Sequence, residues 1–247
     1  MMHICSRKIY TMKKVLFLLI AITIISSCSN SNSSNFSITG TIDGIKVGKI
    51  FLKRLQDSVL IDVDSALFDG NSDYTLKADL NQTEIMYLHL DVKDGAEFND
   101  RLLFFAEDTA MTINSSLNKF EADAVITGSK NQDIYTVYKS NNDKLNKVYT
   151  AIVKRSMSLT DDTRTIAVTD SIHTAYDKYL KKKVLYAINY AQLHKDKEVA
   201  PYILISEASE ANPILLDSVF QKMPKKIQTT VYGKQLSELI EKNKTIL

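Results

Sequence analysis

Ala124-Val125-Ile126-Thr127-Gly128-Ser129-Lys130-Asn131-Gln132-Asp133-Ile134-Tyr135-Thr136-Val137-Tyr138 is the stretch in which the chain changes its periodicity. Up to Thr127 apolar and polar residues alternate, the two-residue period of half-buried strands. After Gly128 the apolar residues Ile134, Val137, Tyr138, Leu145, Val148, Tyr149, Ile152 and Val153 recur at steps of three and four, as on one face of a helix. Working back from the switch, strands are expected over 36–42, 49–53, 59–63, 74–78, 85–92, 101–106, 111–114 and 124–127. Turn signals at Asp43-Gly44, Asp69-Gly70-Asn71 and Asp94-Gly95 separate them. So many short strands predict an antiparallel sandwich or open barrel.

Working forward, a second helical stripe runs through Val168, Ile172, Ala175, Tyr176, Tyr179 and Leu180 towards Tyr190, joined to the first near 159–163. Shorter helices are expected around 201–207 and from Asn212-Pro213, where Asn caps and Pro takes the first helical position. A last helix is expected to run from after Pro224 to about Lys242. The fold class is therefore α+β: a β-rich domain over 36–128 followed by a helical domain over 129–247.

The first 27 residues carry a different signal. Met12-Lys13-Lys14 followed by the apolar run 15–25 has the layout of a secretory signal peptide, too short to cross a bilayer comfortably. Residues 1–11 add nothing to such a signal, which makes Met12 the expected start. Ile25-Ser26-Ser27-Cys28 resembles the lipobox of bacterial lipoproteins, which implies cleavage after Ser27 and a lipid on Cys28. The polar stretch 28–35 then reads as a flexible tether. It lacks the acidic cluster that marks surface export of some lipoproteins. Expected is a lipid-anchored cell-envelope protein, on the outer membrane in preference to the inner, with its body facing the periplasm.

Removing residues 1–27 also removes Arg7, Lys8, Lys13 and Lys14, leaving 27 basic against 29 acidic residues and turning a formal +2 into −2. With no basic stripe, the electrostatic attraction that dominates nucleic-acid binding is missing, and that class of partner is excluded. Cys5 and Cys28 are the only cysteines, so no disulfide, redox pair or thiolate metal site is expected beyond Cys28.

Phe36-Ser37-Ile38-Thr39-Gly40-Thr41-Ile42, Gly48-Lys49-Ile50-Phe51-Leu52, Asp57-Ser58-Val59 and Phe68-Asp69-Gly70 together resemble the start of domain of unknown function 4369, a β-rich module of Bacteroidetes-type envelope lipoproteins. Ala211-Asn212-Pro213, Leu215-Leu216 and Tyr232-Gly233-Lys234-Gln235-Leu236 resemble the helical spacer that leads such proteins into a thioredoxin-like thiol:disulfide interchange domain. The sequence ends at Leu247, where that pattern would continue into the redox domain. The resemblance thus implies a relative without its cysteine pair.

No residue set has the spacing of a catalytic site. His89, His173 and His194 lie far apart and without the H-x-x-x-H spacing of metal ligands, and His89 is expected on the solvent face of its strand. No G-x-S-x-G, G-x-G-x-x-G or Walker pattern occurs among the seven glycines. Asp62-x-Asp64 and Asp161-Asp162 read as turn and surface residues rather than paired catalytic carboxylates or calcium ligands. Tyr135, Tyr138, Tyr149, Tyr176, Tyr179, Tyr186 and Tyr190 are spaced to pack a helical core in preference to lining a ligand groove.

The function these features imply is non-enzymatic, needing no cofactor or metal: a lipoprotein that binds a ligand or an envelope protein. The alternative is an accessory subunit of a thiol:disulfide interchange system whose redox domain, such as a thioredoxin-like protein, is separate. Five triplets, Asp57-Ser58-Val59, Asp64-Ser65-Ala66, Asp108-Thr109-Ala110, Asp170-Ser171-Ile172 and Asp217-Ser218-Val219, resemble the O-glycosylation acceptor of Bacteroidetes-type periplasmic proteins. About one or two would arise by chance from this composition. Ser58, Ser65 and Thr109 are expected in or beside turns, Ser171 and Ser218 in helices.

Overall fold

The computed structural model describes residues 34–92 and 100–245. The expected signal peptide, Cys28, most of the expected tether and the expected turn at Asp94-Gly95 lie outside the described residues. Eight strands form first: β1 (Phe36–Asp43), β2 (Val47–Gln56), β3 (Val59–Asp69), β4 (Asp73–Ala78), β5 (Glu84–Asp91), β6 (Asp100–Ala106), β7 (Ala110–Ser116) and β8 (Val125–Thr127). Six helices follow: α1 (Lys130–Met157), α2 (Ile166–Leu193), α3 (Val199–Glu207), α4 (Pro213–Phe220), α5 (Lys225–Gln228) and α6 (Val231–Lys244). All belong to one compact unit, Ser34–Leu247.

The strands make two four-stranded sheets, ordered β4-β1-β7-β8 and β3-β2-β5-β6, with no closed barrel. Alternation supplies the inner faces: Ile38 and Ile42 of β1, Ile50 and Leu52 of β2, Leu76 of β4, Met86 and Leu88 of β5, Leu102 and Phe104 of β6, and Ile113 of β7 are buried in one core. Phe36 stacks on Phe104 at 6.4 Å between ring centroids, joining the two sheets. Each fully buried side chain of this size stabilises by about 1.5–3 kcal/mol relative to exposure, so a dozen of them carry the sandwich.

The pairing is antiparallel except between β1 and β7, which run parallel. That ladder opens around Gly40, where the carbonyl of Ile113 turns to accept the hydroxyl of Tyr74 at 2.8 Å. A Cβ on Gly40 would lie 1.8 Å from that carbonyl oxygen, so glycine is required there. β3 runs six residues beyond the expected end at 63. Leu52 pairs with Asp64 but Lys53 with Asp62, so Val63 is an extra residue in a bulge that breaks the alternation.

The outer face of β5 and β6 is not the solvent face that alternation suggests. Ile85 and Phe105 are buried in the helical core, and Tyr87 and Leu103 pack against it. Further along β5, His89 is half-buried with its ring 5.9 Å from Phe51 on β2, which corrects the expectation of a solvent-facing histidine. Period two identifies two faces of a strand but not which of them another element will cover.

α1 and α2, each 28 residues and thus about 42 Å long, form a helical hairpin. Only the ends nearest the sandwich join the helical core, through Tyr135 and Tyr138 of α1 and Ala187, Ile188 and Ala191 of α2. α1 leaves Val137 exposed beside them and Val148 and Tyr149 exposed beyond them, because a helix packed on one side cannot bury its whole stripe. The expected single last helix is broken at Thr229-Thr230: Thr230 donates its hydroxyl to Ile227 O and accepts the N–H of Gly233, capping a new helix.

Candidate functional site

The two sheets do not pair along the side where β6 and β8 are the edges, and α1 crosses that opening. The first turn of α1 is set by Gly128 and Ser129. Gly128 adopts φ +100°, and a Cβ there would meet Ala110 O at 2.6 Å, so only glycine lets the chain leave β8 at this angle. Ser129 then caps the helix by accepting the N–H of Gln132 at 3.0 Å. Gln132 in turn accepts the buried N–H of Phe105 at 2.9 Å, so the helix start seals part of the β6 edge.

A second set of bonds fixes this joint. The Glu107 carboxylate accepts the N–H groups of Lys130 and Asn131 at the positive end of α1, at 2.8 and 3.1 Å. The Asn131 amide donates to both Glu107 and Glu198, and its oxygen accepts the N–H of Val199, which starts α3. One asparagine thereby positions two helices against the end of β6. Phe105 completes the seam with edge-on contacts to Tyr135, Tyr202 and Tyr232 at 5.4, 5.2 and 6.3 Å.

Between α1 and the open edge lies a cleft of about 680 Å³. Leu102 and Leu103 of β6, Ala124, and Ile126 of β8 form its apolar floor, and Gln132 and Tyr135 line its inner end. Lys139 of α1 and Glu121, in the β7–β8 connection, form an ion pair at 3.2 Å, and Asp143, Lys144 and Lys147 extend the charged rim. Burial, only partly offset by a hydrogen bond to Tyr202, pushes the Tyr135 phenol up to about 12, so it stays protonated. The Phe105 N–H points away from β5 towards Gln132, and in an antiparallel ladder the main-chain groups of Leu103, two residues earlier, are turned the same way. The cleft therefore offers apolar contact, two signs of charge and the main-chain edge of a strand.

The residues singled out from sequence do not converge on this or any other place. Cys28 is outside the described residues. Ser58 is exposed in the β2–β3 turn. Ser65, expected in or beside a turn, is exposed in the middle of β3, because the bulge carries that strand on to Asp69. Thr109 is half-buried between β6 and β7, while Ser171 on α2 and Ser218 on α4 are exposed on helices. Asp62 pairs with Lys53, whereas Asp64 accepts the N–H groups of Ser65 and Lys77, both at 2.8 Å, linking the edges of the two sheets. Asp161 and Asp162 are exposed between α1 and α2.

Of the seven tyrosines expected in a helical core, Tyr135, Tyr138 and Tyr179 are buried, whereas Tyr149 and Tyr176 are exposed on the hairpin of α1 and α2, where a single packed side leaves part of each stripe uncovered. Tyr138 is fully buried and stacks on Tyr186 at 5.1 Å, and Tyr190 donates to Ile134 O at 2.8 Å. Among the described residues no group of three or more His, Cys, Asp and Glu side chains is placed to hold a metal ion, and no helix is long and apolar enough to cross a membrane.

What sequence reasoning missed is the joint itself: Glu107, Asn131, Gln132, Tyr202 and Tyr232. Ser129-x-x-Gln132 at the switch of periodicity was the available signal, being a helix-capping pattern placed directly after a strand.

The fold and its cleft define a β-sandwich module with an appended helical region. Residues 36–135 match the family model for a domain of unknown function, DUF4369. The match ends at Tyr135, the sixth residue of α1, and so includes the residues that seal β6 but not the spacer-like stretch 211–236. No curated protein matches the chain.

Proposed function

We propose that this chain is a non-enzymatic cell-envelope lipoprotein, anchored through a lipid on Cys28, whose cleft beside β6 binds an extended segment of an envelope partner. The observation that carries the binding role is the combination in one groove of an apolar floor at Leu102 and Ile126, the Glu121–Lys139 ion pair and the strand edge at Leu103. An extended peptide adds to such an edge by main-chain hydrogen bonds, while side-chain pockets select its sequence. Support for the anchor is the order of basic start, short apolar run and Ile25-Ser26-Ser27-Cys28.

Photo-crosslinking in intact cells tests the binding role. A photoreactive side chain at Thr136 or Ser140, both lining the cleft, is expected to give one discrete adduct, and the same group at exposed Asp170 none. Adducts at all three positions, or at none, would refute the cleft as the docking place. Fatty-acid labelling tests the anchor: Cys28→Ala is expected to abolish it and to block normal signal removal, and unchanged processing would refute it.

A second reading, an accessory role in thiol:disulfide interchange, is favoured by one observation, the match of residues 36–135 to DUF4369 followed by the stretch 211–236 that resembles the spacer of thiol:disulfide interchange lipoproteins. Insulin reduction distinguishes the two. The purified chain is expected to be inert, and an increase in the rate of an added thioredoxin-like protein would support the accessory role.

A further inference from the structure

The β2–β3 hairpin extends past its own sheet. β2 pairs with β5 only as far as Arg54↔Met86, while its pairing with β3 continues through Leu55↔Leu60 and Gln56↔Val59. The turn at its tip is tight, Asp57 and Ser58 having φ +48° and +67°. Leu55 is 54%, Val59 61% and Ile61 38% exposed. Cross-strand pairing puts Leu55 and Leu60 on one face of this hairpin and Val59 and Ile61 on the other. A ribbon that is apolar on both faces and paired on neither side cannot bury those residues against its own body.

The place where the chain enters the fold fixes what lies nearby. Asn35 exchanges two 2.8 Å hydrogen bonds with the main chain of Leu80. Arg54, at the base of the hairpin tip, donates to the carbonyl of the adjacent Asp79 at 2.8 Å and pairs with Glu84 at 2.7 Å. The start of β1 and the hairpin are thus held by neighbouring residues at one end of the sandwich. Cys28 is eight residues before Phe36, a span of at most about 28 Å when fully extended.

We infer that the β2–β3 hairpin tip is a second membrane contact, in which Leu55, Val59, Leu60 and Ile61 enter the headgroup region of the bilayer to which Cys28 is anchored. This rests on the lipoprotein reading. A lipid on Cys28 alone is a single point of attachment, whereas an apolar tip beside the start of β1 adds a second and fixes the orientation of the body. Asp57 at the turn makes an anionic surface a poor match, so the surface is a zwitterionic one.

The chain has no tryptophan, and Cys28 is its only cysteine once residues 1–27 are removed. The chain from Cys28 onward can therefore be coupled by that thiol to maleimide-bearing phosphatidylethanolamine in phosphatidylcholine vesicles, independently of lipidation in cells. A Val59→Trp reporter is expected to shift its emission to the blue and to lose about half of it to acyl chains brominated near the headgroup. Leu55→Trp is expected to behave alike. Leu67→Trp, exposed about 26 Å further along β3, is expected to remain unquenched.

Equal emission from all three reporters with and without bromine would overturn the contact. So would equal quenching of all three, which describes a body lying flat, or a blue shift without vesicles that grows with protein concentration, which describes self-association. A glycan mapped to Ser58 would overturn it too, since a sugar at the tip keeps it in water. Because the coupling is chemical, these outcomes are separate from fatty-acid labelling, whose failure would refute the anchor alone.

Discussion

The hydroxyl of Tyr232, on α6, accepts the backbone N–H of Ile85, at the start of β5, at 2.6 Å. Ile85 is buried, and the pairing of β5 with β2 stops at Met86, one residue short of it, so the phenol takes the place of a strand partner. Through this bond the last helix is locked to the sheet, 147 positions away in sequence.

Tyr232→Phe keeps the ring contacts with Phe105 and Tyr202 but strands a buried donor. The expected cost is about 1–3 kcal/mol, read as a lower urea midpoint with an unchanged slope. Faster amide exchange at Ile85 would assign the loss to this bond. Wild-type stability in the variant would show that the hydroxyl contributes nothing.

Gly40→Ala tests the irregular parallel pairing. The added methyl must displace the Ile113 carbonyl, which also holds the Tyr74 hydroxyl, so the loss is expected to reach about 3 kcal/mol. Tyr74→Phe alone, losing only the hydrogen bond, is expected to cost less. Equal losses in the two variants would mean that the carbonyl moves aside freely.

All eight strands were legible as short apolar-rich runs bounded by turn residues, and the helices, apart from the break at Thr229-Thr230, because Gly128, Asn212-Pro213 and the three-four spacing mark them. Three features were not. The parallel β1–β7 pair joins segments with the same local pattern as any antiparallel pair, so nothing in either strand announces it. The far half of β3, from Asp64 to Asp69, lies beyond the expected end at 63, because the bulge at Val63 shifts its alternation by one. The cleft is built from β6, β8 and α1, whose proximity depends on hydrogen bonds of Asn131 and Gln132 that a periodicity argument does not weigh.

His194 supplies the pH dependence. It closes α2, with its ring 4.6 Å from that of Tyr190, and burial holds its pKa below the usual histidine value, helped by Lys197 and opposed by Asp196. A folded value below the unfolded one means that the unfolded chain binds more protons as the pH falls. Stability is then full above the unfolded value of about 6.5 and falls as the pH drops from there to the folded pKa. Urea midpoints are expected to be lower at about pH 5.5 than at about pH 7.5, and His194→Gln to reduce that difference. An identical difference in the variant would place the dependence elsewhere.

Glycosylation separates two readings of the five Asp-Ser/Thr triplets. A transferase needs an exposed hydroxyl on a chain that can be drawn out into an extended form. Ser171 and Ser218 lie within α2 and α4, and Ser218 already donates to Leu215 O at 2.8 Å, so modification there requires unwinding. Thr109 is half-buried, its N–H bonded to Glu107 O at 2.7 Å. Ser58 sits on the tip assigned to the bilayer. Ser65 alone is exposed on backbone already extended, in the edge strand β3. Against it stands Asp64, whose carboxylate is occupied by the N–H groups of Ser65 and Lys77, a structural reason for an Asp-Ser pair that involves no sugar. Intact-mass measurement on protein from the native host, with peptide mapping, decides between them. A glycan is expected on Ser65 and its mass increment is expected to vanish in Ser65→Ala, while a mass equal to the lipidated polypeptide would leave all five triplets with structural roles only.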